Sequence, residues 1–444
     1  MIGSPKRSDG GGRMSEGADQ RKLPFQGVSH SLVDQALLSI SNFLIGLAFI
    51  KFATKHDYYA YSQLIGYVAL TLAIQAALVN TTALTLLPQK RGRDRAEATH
   101  VFFGLQLFLS STLAMVGGLF LWLTPAAISM DVIEMPLALA MVLMVLSSWL
   151  REFLRNVQFI NMRADMCLQQ DMAYVFLLSI AIGTLVVSQN VQADEMLLVI
   201  GTAGILSALP WLHRASIRPV FNWVQWSRLW SEIWPLARWS LPAGLVSWAS
   251  GNGYLLIGAA VLGPETTAEI VAAKLFMAPL GTIFLSWGNI FRPKVSHWIS
   301  VGARSEVARL TQLSILGVAG VVLIYFLAMV FAYPFLDAHL LGDKYKGLQF
   351  DIAWWGVFFV ASGVSSICNG VLFAGGHFRQ SFYAAAVSCV LSIPAMYFSG
   401  QVFSKDGLMF GAVLGEAAYA LVLFLGVRRM MRGVAVGRNL EVLK

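Results

Sequence analysis

The sequence predicts an all-α polytopic membrane protein, with about 12 transmembrane helices in two parallel six-helix lobes around a central cavity. Three observations carry this. Apolar residues come in blocks of about twenty, the length a helix needs to cross a hydrocarbon core. Charged residues are 13% of the chain against 57% hydrophobic, roughly half the charged share of a soluble domain. All but six of the 32 lysines and arginines fall in the termini and in alternate connections, as expected of a chain that keeps its basic loops in the cytosol.

The elements follow in order. Residues 1–30 are polar, glycine-rich and basic and lack the apolar core of a signal peptide, so they read as a disordered cytosolic tail, with Met14 an alternative start. Spans expected near 31–53, 58–86, 101–124, 132–154, 167–188 and 195–212 make an N-terminal lobe, 31–212. Residues 213–239 read as an interfacial amphipathic linker. Trp223, Trp226, Trp230 and Trp234 recur at helical spacing beside Arg228 and Arg238, which puts an aromatic face in the membrane interface. Spans near 240–262, 268–291, 310–332, 348–373, 381–399 and 407–427 make a C-terminal lobe, 240–427, and 428–444 is a basic cytosolic tail. An even span count puts both termini in the cytosol. The six basic residues left for the outer side are Lys51, Lys55, Lys274, Lys344, Lys346 and Lys405.

The halves echo each other. Phe43-Leu44-Ile45-Gly46 in the first span matches Leu255-Leu256-Ile257-Gly258 in the seventh, and LLPQKR (Leu86 to Arg91) matches FRPKVS (Phe291 to Ser296) at the end of the following helix. Six spans per half gives parallel repeats, which place a binding site between the lobes. The net charge of +8 is spread over membrane-flanking loops, which argues against nucleic acid as a partner. Cys167, Cys368 and Cys389 share no metal or disulfide spacing and read as packing residues.

Four stretches bear a family resemblance: Leu37 to Leu64, Tyr254 to His297, Asn369 to Val387 and Lys405 to Phe424. In order and spacing the chain resembles the Wzx-type lipid-linked oligosaccharide flippases, the polysaccharide-transporter branch of the multidrug/oligosaccharidyl-lipid/polysaccharide exporter superfamily. The resemblance implies a bacterial inner-membrane protein that moves an undecaprenyl-diphosphate-linked glycan from the cytosolic to the outer leaflet for polysaccharide biosynthesis. It implies no cofactor, and leaves coupling to a proton, to sodium or to the membrane potential open. The implied partners are the lipid-linked glycan, membrane lipids, a polysaccharide polymerase and glycosyltransferases.

Lys274 stands in AAKLFMAPLGTIF, Ala272 to Phe284, where an ammonium deep in a bilayer costs at least a few kcal/mol. The resemblance implies a basic residue here, shortly before a proline (Pro279), facing a cationic cavity. A diphosphate drawn out of water needs such a charge. Lys274 is also about six residues, roughly 9 Å, from the outer helix end, so snorkelling to the interface is equally open. Lys51 matches a position often basic in the family and also reads as an interface anchor.

Gln35, Ser39, Asn42 and Gly46 form one polar stripe on the first helix, either lining the cavity and bonding sugar hydroxyls or packing against a neighbour. Ser362, Ser365, Ser366 and Asn369 form a similar stripe on the tenth. Arg151 and Arg155 share a helix face, with Arg163 beyond, and either meet the diphosphate as it enters or anchor to anionic lipids. Glu416 is the deepest acid and a candidate ion-coupling residue, or else a structural one. Gly411 and Gly415 before it predict a close helix contact. Asp34 reads as solvated, and the first half shows no clear mid-membrane acid.

Two other classes compete. A membrane glycan polymerase or ligase needs acids or histidines clustered for a general base, whereas His56-Asp57, Asp131, Glu134, Asp194-Glu195, Glu265 and Asp337 to Asp343 are scattered over short loops. A multidrug or cation antiporter of the same superfamily would favour acids in the cavity, and Lys274 points instead to an anionic cargo.

Overall fold

The computed structural model describes residues 25–123, 135–161, 163–345 and 347–431. Residues 1–24 of the expected tail, Asp131 and Glu134, Lys346, and the tail from 432 onward lie outside the described residues. Helices and short turns make up the described residues, with no strand among them.

Ten helices run in order: α1 Phe25–Phe52, α2 Lys55–Gln89, α3 Gly92–Leu123, α4 Met135–Ile160, α5 Ala164–Val187, α6 Ala193–Arg214, α7 Trp223–Leu262, α8 Pro264–Ser300, α9 Arg304–Leu336 and α10 Leu348–Ala374. The last helical stretch, Phe378–Met431, has 54 residues, about 81 Å if straight and far more than a hydrocarbon core accommodates. It folds back at Ser404, whose φ of 56° and ψ of −131° are not helical, giving α11 (378–403) and α12 (405–431). Ser399 Oγ donates to the Gly407 carbonyl at 2.6 Å and Ser388 Oγ to that of Gly415 at 2.8 Å. These bonds run between antiparallel partners, so the expected twelve long helices are present.

Several helices outrun their apolar spans. α1 begins inside the stretch expected to be tail, α3 starts at Gly92 among basic residues, and α8 continues to Ser300. Hydropathy marks only the part of a helix in hydrocarbon, whereas the intrahelical hydrogen bonds continue for as long as the sequence tolerates helix. The alternation of the helices puts the basic connections at the end of the bundle where α1 begins and α12 stops, called here the basic end.

Packing follows the repeat. In the first half α1 packs on α5, α3 on α4 and α4 on α6; in the second, α9 packs on α10, while α7 and α10 both pack on the α11–α12 hairpin. The two halves meet through α1 and α2 on one side and α7 and α8 on the other. Gly46 of α1 lies directly under the Leu275 side chain of α8, which would have to shift to admit a Cβ.

The tryptophan-rich strap is the first part of α7. Asn222 caps it, its side chain accepting from Val224 N at 3.0 Å. Leu229, Ile233 and Ala237, four apart, are buried against α2, α3, α4 and α6. The flank beside that stripe carries Trp223, 79% exposed, and the stacked pair Trp230–Trp234, 5.8 Å between centroids. Trp226 turns inward, donating to the Val220 carbonyl at 3.0 Å and packing on Phe108. Trp223, Trp230 and Trp234 are thus exposed, and Trp226 is turned inward.

The α11–α12 hairpin depends on glycine. A Cβ on Gly411 would stand 2.6 Å from Met396 Cα and 2.7 Å from Ala395 C, both backbone atoms that cannot step aside. Gly411→Val is expected to lower stability by about 1–3 kcal/mol through overpacking, read as a drop in the melting temperature of the purified protein in detergent. An unchanged melting temperature would show that the two helices do not pack this closely.

Candidate functional site

Two cavities meet at Lys274. The larger, about 540 Å³, lies between the halves, walled by α1, α2, α4, α5 and α6 on one side and α7 and α8 on the other. The smaller, about 340 Å³, lies within the second half, among α7, α8, α10, α11 and α12. Lys274 lines both. Its ammonium is 3.3 Å from Tyr254 Oη, 4.5 Å from the Tyr254 ring centroid and 4.9 Å from that of Trp355. Those ring faces hold the cation in place without neutralising it. Among the described residues Lys274 forms no salt bridge. The Lys274 side chain therefore lies in the cavity wall, against Tyr254 and Trp355.

Arg151 and Arg155 also line the larger cavity, but their charges are already met. Arg151 Nη2 lies 2.8 Å from Asp171 Oδ1, and its guanidinium stacks 3.4 Å from the Tyr174 ring centroid. Arg155 reaches Asp171 Oδ2 at 2.9 Å through Nε, Asp34 Oδ2 at 2.7 Å through Nη2, and Glu152 at 3.3 Å. Asp34 is 1% exposed and Asp171 0%. Two sequence expectations are corrected here. Asp34 is buried and paired, not solvated. The first half does hold a deep acid, Asp171. The charges of both arginines are paired inside the lobe. One signal for Asp171 was available: it falls inside the expected span 167–188, where a carboxylate requires a nearby counter-charge.

The polar stripe on α1 divides. Asn42 lines the larger cavity. Ser39 accepts from Thr282 Oγ1 at 2.9 Å and Gln35 Oε1 from Ser286 Oγ at 3.3 Å, so both tie α1 to α8 across the lobes. Trp248 Nε1 adds a bond to the Gly66 carbonyl at 2.8 Å. Ser39 thus bonds across the lobes, while Asn42, under one helical turn away, lines the cavity.

In the smaller cavity the α10 stripe comes together as its spacing implied. Ser362, Ser365, Ser366 and Asn369 face Glu416 and Tyr419 of α12. Ser365 Oγ donates to Glu416 Oε1 at 2.6 Å. Of the cysteines, Cys167 and Cys368 are buried and Cys389 half-buried, all free.

Lys51 is elsewhere. It is exposed at the end of α1, in an open depression of about 630 Å³ with Lys55, Lys344 and Glu265. There the halves are clamped. Lys55 of α2 pairs with Glu269 of α8 at 2.5 Å, and Lys405 pairs with the other oxygen of Glu269 and lies 3.8 Å from Asp351. Lys344 donates to the carbonyls of Ile50 and Ala53, capping the end of α1. Burial pulls the Lys344 ammonium below the ordinary lysine range.

No protein-family model matches the sequence, and no curated protein does. Solved structures do match along nearly the whole chain. The inward-facing conformation of a multidrug resistance MATE family transporter of the MOP superfamily aligns with a TM-score of 0.67 and 14% identity, covering 90% of this chain and 96% of that one. The lipid II flippase MurJ, in an inward closed conformation, aligns with a TM-score of 0.71 and 12% identity over 91% and 87%. The eukaryotic MATE transporter AtDTX14 aligns at 0.68 and 14% over 91% and 95%. At such identity the likeness is one of fold, shared alike with drug transporters and with a flippase of a lipid-linked cargo.

Proposed function

We propose that this chain is a flippase that moves an undecaprenyl-diphosphate-linked oligosaccharide from the cytosolic to the outer leaflet by alternating access of its two halves. It would serve polysaccharide biosynthesis in a bacterial inner membrane, with the basic end and both termini in the cytosol. One observation carries the reading. Lys274, which forms no salt bridge among the described residues, places its ammonium in the wall of two cavities between and beside the lobes, with Glu416 as the acid that shares the smaller one. A diphosphate leaving water requires a fixed cation, and the paired arginines of the first half do not supply one as freely. Asn42 adds a hydrogen-bonding group on the facing wall. Glycosyltransferases would supply the cargo, and a polymerase would consume it.

Deleting the gene in its host and assaying lipid-linked glycans by leaflet tests this. Complete glycan units should build up on the cytosolic leaflet. Incomplete or chemically altered units would sink the reading in favour of an enzyme. A second reading, a multidrug or cation antiporter, draws on the acids Asp34, Asp171 and Glu416; against it, two of these are already neutralised by arginine.

A further inference from the structure

We propose that the smaller cavity is a carbohydrate subsite holding the sugar next to the diphosphate of the cargo. The inference rests on the reading above, in which Lys274 receives the diphosphate. A headgroup at Lys274 has two volumes to extend into, because that side chain belongs to both cavities. Their linings decide between them.

The larger cavity is walled mostly by aliphatic and tyrosine side chains; it also has Asn42, Ser62, Ser148 and Asn252, and its Arg151, Arg155 and Glu152 are engaged in ion pairs. The smaller is walled by hydroxyls, an amide and one carboxylate: Ser362, Ser365, Ser366, Asn369, Glu416 and Tyr419. A sugar carries a belt of hydroxyls, each both donor and acceptor, around an apolar C–H face. A carboxylate accepts from two adjacent hydroxyls with charge-assisted bonds. Serines and asparagine serve either role, and the rings of Phe358 and Phe359 in the same wall offer apolar faces.

These groups are pre-arranged. Ser365 fixes Glu416 at 2.6 Å, and Ser381 bonds to the Asn369 Oδ1. Ser388 bonds to Ser250 at 2.7 Å while donating to the Gly415 carbonyl. Held polar groups favour a specific ligand because little ordering remains to be done on binding. The volume of about 340 Å³ falls within the roughly 300–1,000 Å³ of small-molecule sites. A dehydrated metal cation would need several oxygens converging at about 2.0–2.6 Å. One carboxylate in a space this wide fits a sugar better.

Binding of two probes to the purified full-length protein in nanodiscs tests the subsite: a short-chain polyprenyl diphosphate, and the same lipid bearing a single glucose or N-acetylglucosamine. Wild-type protein should prefer at least one glycosylated probe by about tenfold, the gain expected from charge-assisted hydrogen bonds. Ser366→Ala should shrink that preference while leaving the affinity for the bare diphosphate unchanged. Glu416→Gln should shrink it too, while the bare diphosphate binds as well or tighter, because a negative charge sharing the cavity with Lys274 is gone. Lys274→Ala should weaken all probes alike. Equal binding of bare and glycosylated probes by wild type overturns the subsite. So does a Glu416→Gln protein that keeps the preference and loses only a sodium or pH dependence, which would mark a cation site. If Lys274→Ala leaves every affinity unchanged while the sugar preference persists, the diphosphate reading fails and the subsite stands.

Discussion

Asp171→Ala is expected to be the most damaging single substitution in the first half, costing about 3–5 kcal/mol of stability because it strands buried charge. Asp171 is fully buried and holds both Arg151 and Arg155. Removing it leaves Arg151 without its carboxylate and Arg155 with Asp34 and Glu152. The three elements so joined, α1, α4 and α5, would lose the contact that spans them. Thermal unfolding of the purified protein, followed by loss of the monodisperse peak in size-exclusion chromatography, reports the effect. Asp171→Asn should fall between, since it keeps the shape and some hydrogen bonds and drops the charge. Wild-type stability in both variants would show that the arginines find other partners and that the network is incidental.

Transport should respond most to Lys274. Lys274→Ala is expected to slow flipping roughly a hundredfold, the loss of a charged hydrogen-bond partner worth nearly 3 kcal/mol. Lys274→Glu should abolish it by repelling the diphosphate. Lys274→Arg should retain part of the activity, because charge survives, although the larger guanidinium must fit between Tyr254 and Trp355. The readout is the flipping rate at matched protein levels, with folding checked by chromatography. Wild-type rates in both Ala and Glu variants would remove Lys274 from the cargo path.

The helices were legible in the sequence because hydrocarbon imposes a strong, local rule: about twenty apolar residues per crossing. The fold-back at Ser404 was legible too, since Gly400, Lys405, Asp406 and Gly407 interrupt the apolar run. The inward positions were legible where residues of one kind recur on one helix face, as in the α10 stripe with Glu416 opposite. Partner choice was not. Ser39 and Asn42 differ by under one helical turn, yet one bonds across to Thr282 and the other lines a cavity. Arg151 and Arg155 read as cations until α5 brings Asp171 beside them, and nothing local to residues 151–155 records that approach. Lys51 and Lys274 read alike as lone lysines near the same end of the bundle, and only the packing of α8 against α7 and α10 turns the second inward.

α7 joins the tryptophan strap to the cavity wall as one helix. Its 40 residues span about 60 Å, with Trp223 near one end and Tyr254, the ring beneath Lys274, toward the other. Pro235 and Pro242 fall between, where the missing amide protons weaken the rod. Such a beam behaves as a lever with a soft fulcrum. One degree of tilt about these prolines moves Tyr254, roughly 18–28 Å beyond them, by less than about 0.5 Å, so the strap and the ring beneath Lys274 are parts of one mechanical element.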